Sequence, residues 1–296
     1  MRVLCLGDIV GKPGRQAVCE LLPPLIREQQ IDLVIANGEN IAGGSGITAN
    51  LFRKLRSYGV DGVTLGDHFH RKHDIFDLLD SSDRIVRPAN LSQQAPGKGS
   101  VHFPAASSDP DVGEVSVGLF CVLGRLFMPS LPADSPFAAA DRVLASLPTT
   151  CKIRICDVHA EATSEKVAMG WHLDGRASIV FGTHTHVPTA DCRILPGGTA
   201  YVTDLGMCGP YDGVLGRSRE AVLSWMTDNR PRPFDVATGD VRLSGVQVEV
   251  DGSTGRATAI ERVEVGGLSV EAAYDAEDSA SYVPDEEGPR GGPGRT

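Results

Sequence analysis

This chain predicts an α/β fold built on a mostly parallel sheet, and three features of the sequence point to it. Short apolar runs alternate with helix-like stretches over the first 66 residues. The same alternation returns between residues 113 and 182. A period-two stretch, "VRLSGVQVEVDGSTGRATAIERVE" (241–264), then folds back on itself around Asp251-Gly252. Strand–helix–strand units give parallel pairing, and an alternating hairpin adds antiparallel strands. The expected architecture is therefore a sheet with antiparallel additions, or two packed sheets.

The elements come in order along the chain. "RVLCLG" (2–7) reads as the first strand. "GRQAVCELLPPLIREQQ" (14–30) reads as a helix broken or bent at Pro23-Pro24, because proline removes a helical donor and clashes with the preceding turn. "DLVIAN" (32–37) is the next strand. In "TANLFRKLRSYG" (48–59), Thr48 is the N-cap, Leu51 and Leu55 form the apolar face, and Gly59 is the stop. "DGVTLG" (61–66) and "GEVSVGLFCVLG" (113–124) are strands, and "PAASSDPDVG" (104–113) is expected to be a surface loop. "PFAAADRVLASL" (136–147) and "SEKVAMGWHLDG" (164–175) read as helices, "KIRICD" (152–157) and "ASIVFG" (177–182) as strands. With no repeat and no linker, one domain over residues 1–267 is expected, followed by an acidic, Pro/Gly-rich tail (268–296) expected to be disordered.

Composition narrows the function classes. No apolar run approaches the roughly 20 residues a membrane span needs, so no membrane partner is expected. The start, "MRVLCLGDIVG", does not resemble a secretory signal, and a cytoplasmic protein is expected. Seven scattered cysteines without a CxxC pair fit buried thiols in a reducing compartment, with Cys5, Cys121, Cys151 and Cys156 in or beside apolar runs. The net charge is −10, and residues 271–296, with seven acidic and two basic side chains, supply −5 of it. No Lys/Arg block is present to track a polynucleotide backbone, so a long duplex is not an expected ligand. A small phosphate compound is compatible, since a local metal cluster can outweigh the global charge. A homo-oligomer is allowed by the sequence but not dictated by it.

The informative pattern lies just beyond the end of each apolar run. After "VLCLG" comes Asp8; after "VIANG", Glu39 and Asn40; after "VTLG", Asp67 and His68; after "IRIC", Asp157 and His159; after "IVFG", His184 and His186. In open parallel sheets ligands bind beyond the carboxyl ends of the strands, and neighbouring strands lie about 4.8 Å apart, so residues remote in sequence can share one site. Carboxylate and imidazole donors without thiolate suit Mn, Fe, Co or Zn. Six or more are too many for one catalytic ion and suit two ions sharing a carboxylate, a standard device for phosphate-ester hydrolysis.

"GDIVG" (7–11), "NGEN" (37–40), "GDH" (66–68), "DVHAEATSEK" (157–166) and "GTHTHV" (182–187) resemble, in this order, the signature of calcineurin-like metallophosphoesterases. With "RPAN" (87–90), "GRLFMP" (124–129), "DSPFAAAD" (134–141) and "TDLGMCGPYDGVLG" (203–216), the resemblance narrows to the YmdB-type branch and covers about residues 1–264. It implies an αββα sandwich, two packed mixed sheets flanked by helices. It also implies a phosphodiesterase acting on small phosphodiesters, 2′,3′-cyclic or 3′,5′-cyclic nucleotides above all, through a hydroxide bridging two divalent ions, with Fe or Mn favoured and Zn or Co allowed. The family pattern places one ion on Asp8, Glu39, Asn40 and His186 and the other on Glu39, Asp67, His159 and His184. His68 is then the acid that protonates the leaving oxygen, a role that suits an imidazole with a pKa of about 6.5.

Asp67 departs from the family, which has Asn there. It remains an oxygen donor but adds a negative charge, which is expected to tighten cation binding, weaken Lewis acidity and shift the pH profile. Val10 stands where other branches have the His of an Asp-x-His start, as expected for this branch. His70 and His73 are expected at a surface or helix start, His70 on a pocket rim where an aromatic is usual. His102 and His172 are expected to be structural, and Asp157 either binds a metal or orients His159 or a backbone amide. "GPYDGVLG" and "GRLFMP" are candidate pocket walls. Metallo-β-lactamase and amidohydrolase patterns do not fit the placement of "HTHVPTAD". A phosphatase of another substrate class, or a metal- or nucleotide-binding regulator with little turnover, stands as the alternative.

Overall fold

The structure, a computed structural model, describes residues 1–108, 113–230, 232–270 and 276–279. In chain order its elements are β1 (Arg2–Leu6), β2 (Asp8–Ile9), α1 (Gly11–Gln29), β3 (Leu33–Asn37), α2 (Ala49–Ser57), β4 (Gly62–Thr64), α3 (Phe76–Ser81) and β5 (Ile85–Val86). Next come β6 (Ser100–Ala106), β7 (Glu114–Leu123), α4 (Pro136–Ser146), β8 (Ile153–His159), α5 (Thr163–Leu173), β9 (Ile179–Thr183), β10 (Arg193–Ile194) and β11 (Ala200–Val202). The last are β12 (Met207–Pro210), α6 (Arg219–Asp228), β13 (Val241–Val250) and β14 (Ala257–Leu268).

These strands form two mixed sheets. The first runs β2-β12-β13-β1-β3-β4-β5, with β14 added to β13. Its β1, β3, β4 and β5 are parallel, while β13 joins β1 antiparallel, with Leu4 opposite Gln247. The second runs β10-β11-β9-β8-β7-β6, and β7, β8, β9 and β11 within it are parallel. Alternation along the strands decides what each face meets. Val3, Cys5, Leu33 and Ile35 pack with Leu119, Cys121, Ile155 and Phe181 between the sheets. Leu4, Leu6, Val34 and Ala36 pack outward on Val18 and Leu22 of α1 and Leu51 and Leu55 of α2. On the far side Phe120, Val122, Cys156 and Val158 meet Ala139, Ala140 and Val143 of α4 and Met169 and Leu173 of α5. The fold is thus the expected sandwich of two sheets between helices.

Local expectations fare unevenly. Thr48 caps α2, its Oγ1 accepting from Leu51 N–H at 3.2 Å, and β13 and β14 form the expected hairpin. Helix α1, however, is not broken: it runs through Pro23 and Pro24 to Gln29. Val18 and Leu22 before the prolines, and Leu25 and Ile26 after them, pack on one core, so tertiary burial carries the helix past two missing donors. Residues 104–106, expected in a loop, belong to β6, paired with β7; residues 109–112 lie outside the described residues. The four cysteines expected to be buried are buried, Cys208 with them, and all seven are free thiols. No helix among the described residues is long and apolar enough to cross a membrane.

Of the segment expected to be disordered, residues 276–279 form a 3₁₀ turn. The carboxylate of Asp278 accepts from Arg15 Nη1 and Gly43 N–H, both at 2.7 Å, and its carbonyl accepts from Lys72 Nζ at 2.8 Å. Residues 271–275 and 280–296 lie outside the described residues.

Candidate metal centre

Because β1, β3 and β4 run parallel in one sheet and β7, β8 and β9 in the other, their carboxyl ends can open onto one region. The side chains just beyond those ends converge there. His159 Nε2 lies 3.1 Å from Asp67 Oδ1, 3.2 Å from Glu39 Oε1 and 3.1 Å from His184 Nδ1. One ligand atom from each of Glu39, Asp67, His159 and His184 lies within 4.8 Å of all the others. Beside this group, His186 Nε2 is 3.6 Å from Asp8 Oδ1 and 3.2 Å from Asn40 Nδ2. Asn40 Nδ2 is in turn 3.2 Å from Glu39 Oε1, so Glu39 belongs to both groups. All seven candidate ligands are brought together, and His68 joins them, its Nδ1 2.8 Å from Asn40 Oδ1.

The donor set fits divalent cations. It holds three carboxylates, three imidazoles and an amide, with no thiolate. A Cβ on Gly66 would fall under 3.0 Å from His159 Nε2 and Glu39 Oε2, so the absence of a side chain there keeps the space between them open. Asn40 turns its Nδ2 toward Asp8, Glu39 and His186, and its amide must turn over to offer a cation its oxygen.

Hydrogen bonds and close contacts fix which nitrogen each imidazole presents. Thr183 Oγ1 donates to Asp157 Oδ1 at 2.7 Å, which leaves its lone pair to accept His159 Nδ1–H at 2.9 Å and aims Nε2 at the carboxylates. Asp157 also accepts from Asn37 Nδ2 at 3.0 Å and from Thr64 Oγ1 at 2.5 Å. Of the roles open to Asp157, the geometry gives orientation of His159 through Thr183. His186 donates Nδ1–H to the Leu215 carbonyl at 3.1 Å, and His184 Nε2 lies 3.3 Å from Glu161 Oε2. Ser130 Oγ donates to Asp67 Oδ2 at 3.1 Å.

The His184-Thr185-His186 segment is strained. Both histidines have positive φ, 89° and 60°, in the region that costs a side-chain-bearing residue about 1–2 kcal/mol. Thr185 between them is strapped down: its Oγ1 donates to Asp204 Oδ2 at 2.6 Å, and the same oxygen pairs with Lys166 Nζ at 2.6 Å. Lys166 and Asp204 are fully buried, so this ion pair is stiff as well as close.

Electrostatics follow from burial opposed by charge. Burial alone would raise Asp8, Glu39 and Asp67, but His186 beside Asp8, and His159 beside Glu39 and Asp67, outweigh it and hold all three below the usual carboxylate range. The same pairs push His159 and His186 upward against burial. His184 is pushed down, by burial and then by the charge of His159. Burial dominates at Asp157, pushed up to about 6.

The remaining histidines stay out. His73 is exposed at the start of a short 3₁₀ turn, His70 is half-buried edge-on to Phe69, His102 lies exposed on β6, and His172 pairs with Asp141. A surface cavity of about 680 Å³ is lined by Glu114, Lys152 and Asp251 among others, at the opposite ends of β7 and β8. It shares no residue with the convergent donors and is not the site. Sequence reasoning missed Asn37, Thr64, Ser130, Glu161, Thr183 and the Lys166–Asp204 pair. The one signal was that most of these lie inside or beside the motifs that carry the donors.

Known proteins align with this geometry. Residues 4–263 match the model of the family described as "YmdB-like protein". A 2′,3′-cyclic-nucleotide 2′-phosphodiesterase of Bacillus subtilis is 45% identical over 263 residues, covering 89% of this chain and 96% of that protein. Among solved structures, a hypothetical protein of Thermus thermophilus superposes with a TM-score of 0.81 at 41% identity, covering 90% of this chain and 100% of that one. A novel phosphatase from Mycoplasma pneumoniae superposes with a TM-score of 0.82 at 32% identity, covering 90% and 93%. Motif order, fold and converging strand ends agree: the chain belongs to the YmdB-like family.

Proposed function

We propose that this chain is a metal-dependent phosphodiesterase of small phosphodiesters, cyclic nucleotides first among them, with residues 1–267 as the catalytic unit. The observation that carries this reading is the convergence of seven donor side chains from two sheets on the open space beside Gly66. The activity named for the Bacillus subtilis relative supports the substrate class, 2′,3′-cyclic nucleotides before 3′,5′-cyclic ones. Asp8, Glu39, Asn40 and His186 would hold one cation and Glu39, Asp67, His159 and His184 the other, with iron or manganese suiting the donors and zinc or cobalt also accepted. Cations held there would supply Lewis acidity toward the phosphoryl oxygens and make a water acidic enough to attack at neutral pH.

The protein's own part is orientation and proton delivery. Thr183 and the Leu215 carbonyl set the tautomers of His159 and His186. His68 is a quarter exposed at the open side, with Nδ1 turned inward 3.5 Å from Glu39 Oε1, so its Nε2–H is the proton to give the leaving oxygen. The seven free thiols support a reducing, cytoplasmic setting. His68→Ala is the test, with adenosine 2′,3′-cyclic phosphate and Mn²⁺. We expect kcat to fall by about 10²–10⁴ with bound metal unchanged. A parent protein that binds no divalent metal, or a variant with parental kcat, would sink the reading.

A further inference from the structure

We propose that Phe127 is the platform on which the substrate's nucleobase stacks, making the 124–130 loop the determinant that selects nucleosides over base-free phosphodiesters. This rests on the phosphodiesterase reading and extends it to the part of the substrate remote from the phosphate.

Topology places the loop. It leaves the carboxyl end of β7, which runs parallel to β8 with Leu123 in register with His159. Both of its ends are pinned on the site: Gly124 N–H donates to the His159 carbonyl at 2.9 Å, and Ser130 Oγ donates to Asp67 Oδ2 at 3.1 Å. Glu165 also accepts from Arg125 N–H and Leu126 N–H at 3.0 Å each. Phe127 is the tip. Three residues from Ser130, it can stand at most roughly 11 Å from it.

Two features of Phe127 are unfavourable in a free protein. The residue is 82% exposed, the highest value among the described large apolar residues, and its φ is +62°, where a bulky side chain is a genuine outlier. An anchored loop that holds an aromatic strained and in water has the shape of a recognition device. Nor is it isolated. Val187, next to His186, is 52% exposed, and Leu215, whose carbonyl takes His186 Nδ1–H, is 48% exposed with a φ of +51°. The polar centre thus has apolar side chains in the loops on two sides, as a ligand with a charged phosphate and a flat aromatic base requires.

The test compares adenosine 2′,3′-cyclic phosphate with ribose 2,3-cyclic phosphate, which lacks the base. The parent should prefer the nucleoside, and Phe127→Ala should cut that preference in kcat/KM by roughly 5- to 150-fold, mostly through KM. Phe127→Trp should restore it. Equal losses on both esters, or no loss, would overturn the proposal. So would a shift of Phe127→Ala to a smaller species in light scattering with no change in preference, since the ring would then cover a second copy of the chain. If the parent turns over neither ester, the phosphodiesterase reading has failed. The platform is then judged by binding of adenosine 3′-monophosphate against ribose 3-phosphate, and equal affinities for the parent overturn it as well.

Discussion

Gly66→Ala tests the geometry of the centre with one methyl group. Gly66 is not in the left-handed region, so alanine costs its backbone nothing special and the effect is one of space. The added Cβ would meet His159 Cδ2, His159 Nε2 and Glu39 Oε2 inside 3.0 Å, where ordinary contact starts at 3.4 Å. Each side chain must therefore retreat by about 1 Å, since repulsion rises steeply below contact distance. Neither has room: both are fully buried, and His159 is tied to Thr183. Overpacking of this kind costs about 1–3 kcal/mol, which at this chain length lowers Tm by roughly 2–6 °C. A 1 Å displacement of reacting groups costs about 10²-fold in rate. The expected variant is folded, a few degrees less stable, depleted of metal after dialysis and at least about 100-fold slower on a cyclic nucleotide. Thermal unfolding, elemental analysis and steady-state kinetics read the three quantities. Parental metal content and rate would show that His159 and Glu39 do not share a ligand, and the site would have to be placed elsewhere.

Two further outcomes are expected. Asp67→Asn removes one charge from a buried group that also holds Asp8 and Glu39. Unit charges about 4 Å apart interact by up to about 4 kcal/mol at an effective dielectric of 20, so Mn²⁺ affinity should weaken at least tenfold while the acid limb of the rate profile moves to lower pH; an unchanged profile in a pH titration of kcat/KM refutes the charge argument. Burial pushes up the thiols of Cys5, Cys121, Cys151, Cys156 and Cys208, the last to about 12. The native state keeps these protons while the unfolded chain loses them, so stability is intact below about pH 9 and declines as pH rises from there toward 12; in Ellman titration at pH 8 the exposed Cys19 should react first, the half-buried Cys192 more slowly, and the other five only on unfolding.

The centre was legible in the sequence because parallel strands deliver their last residues to one edge, and a carboxylate or imidazole after an apolar run survives as a visible pattern. Its supports were not. Thr64 and Thr183 end strands in the way many threonines do, and only three dimensions show that both touch Asp157. Two- to four-residue strands such as β5, β10 and β12 are too short to carry a period. The prolines of α1 misled because local propensity argues for a break, while the apolar residues on either side of them are held on one core. Gly66 reads as a turn glycine, and its use as vacant space depends on His159, which lies more than ninety positions away.

The donors come from different layers: Asp8, Glu39, Asn40 and Asp67 from one sheet, His159, His184 and His186 from the other. A cation held by both would act as a rivet through the sandwich, bracing two layers that otherwise adhere through apolar packing and the hydrogen bonds of Asn37 and Thr64 to Asp157. Loading the site to a hundred times its dissociation constant would add about 2.7 kcal/mol to unfolding. Chelation would then slacken the seam between the sheets before it loosened the helices outside them, and amide exchange along β3 and β8 is where that slackening would first be seen.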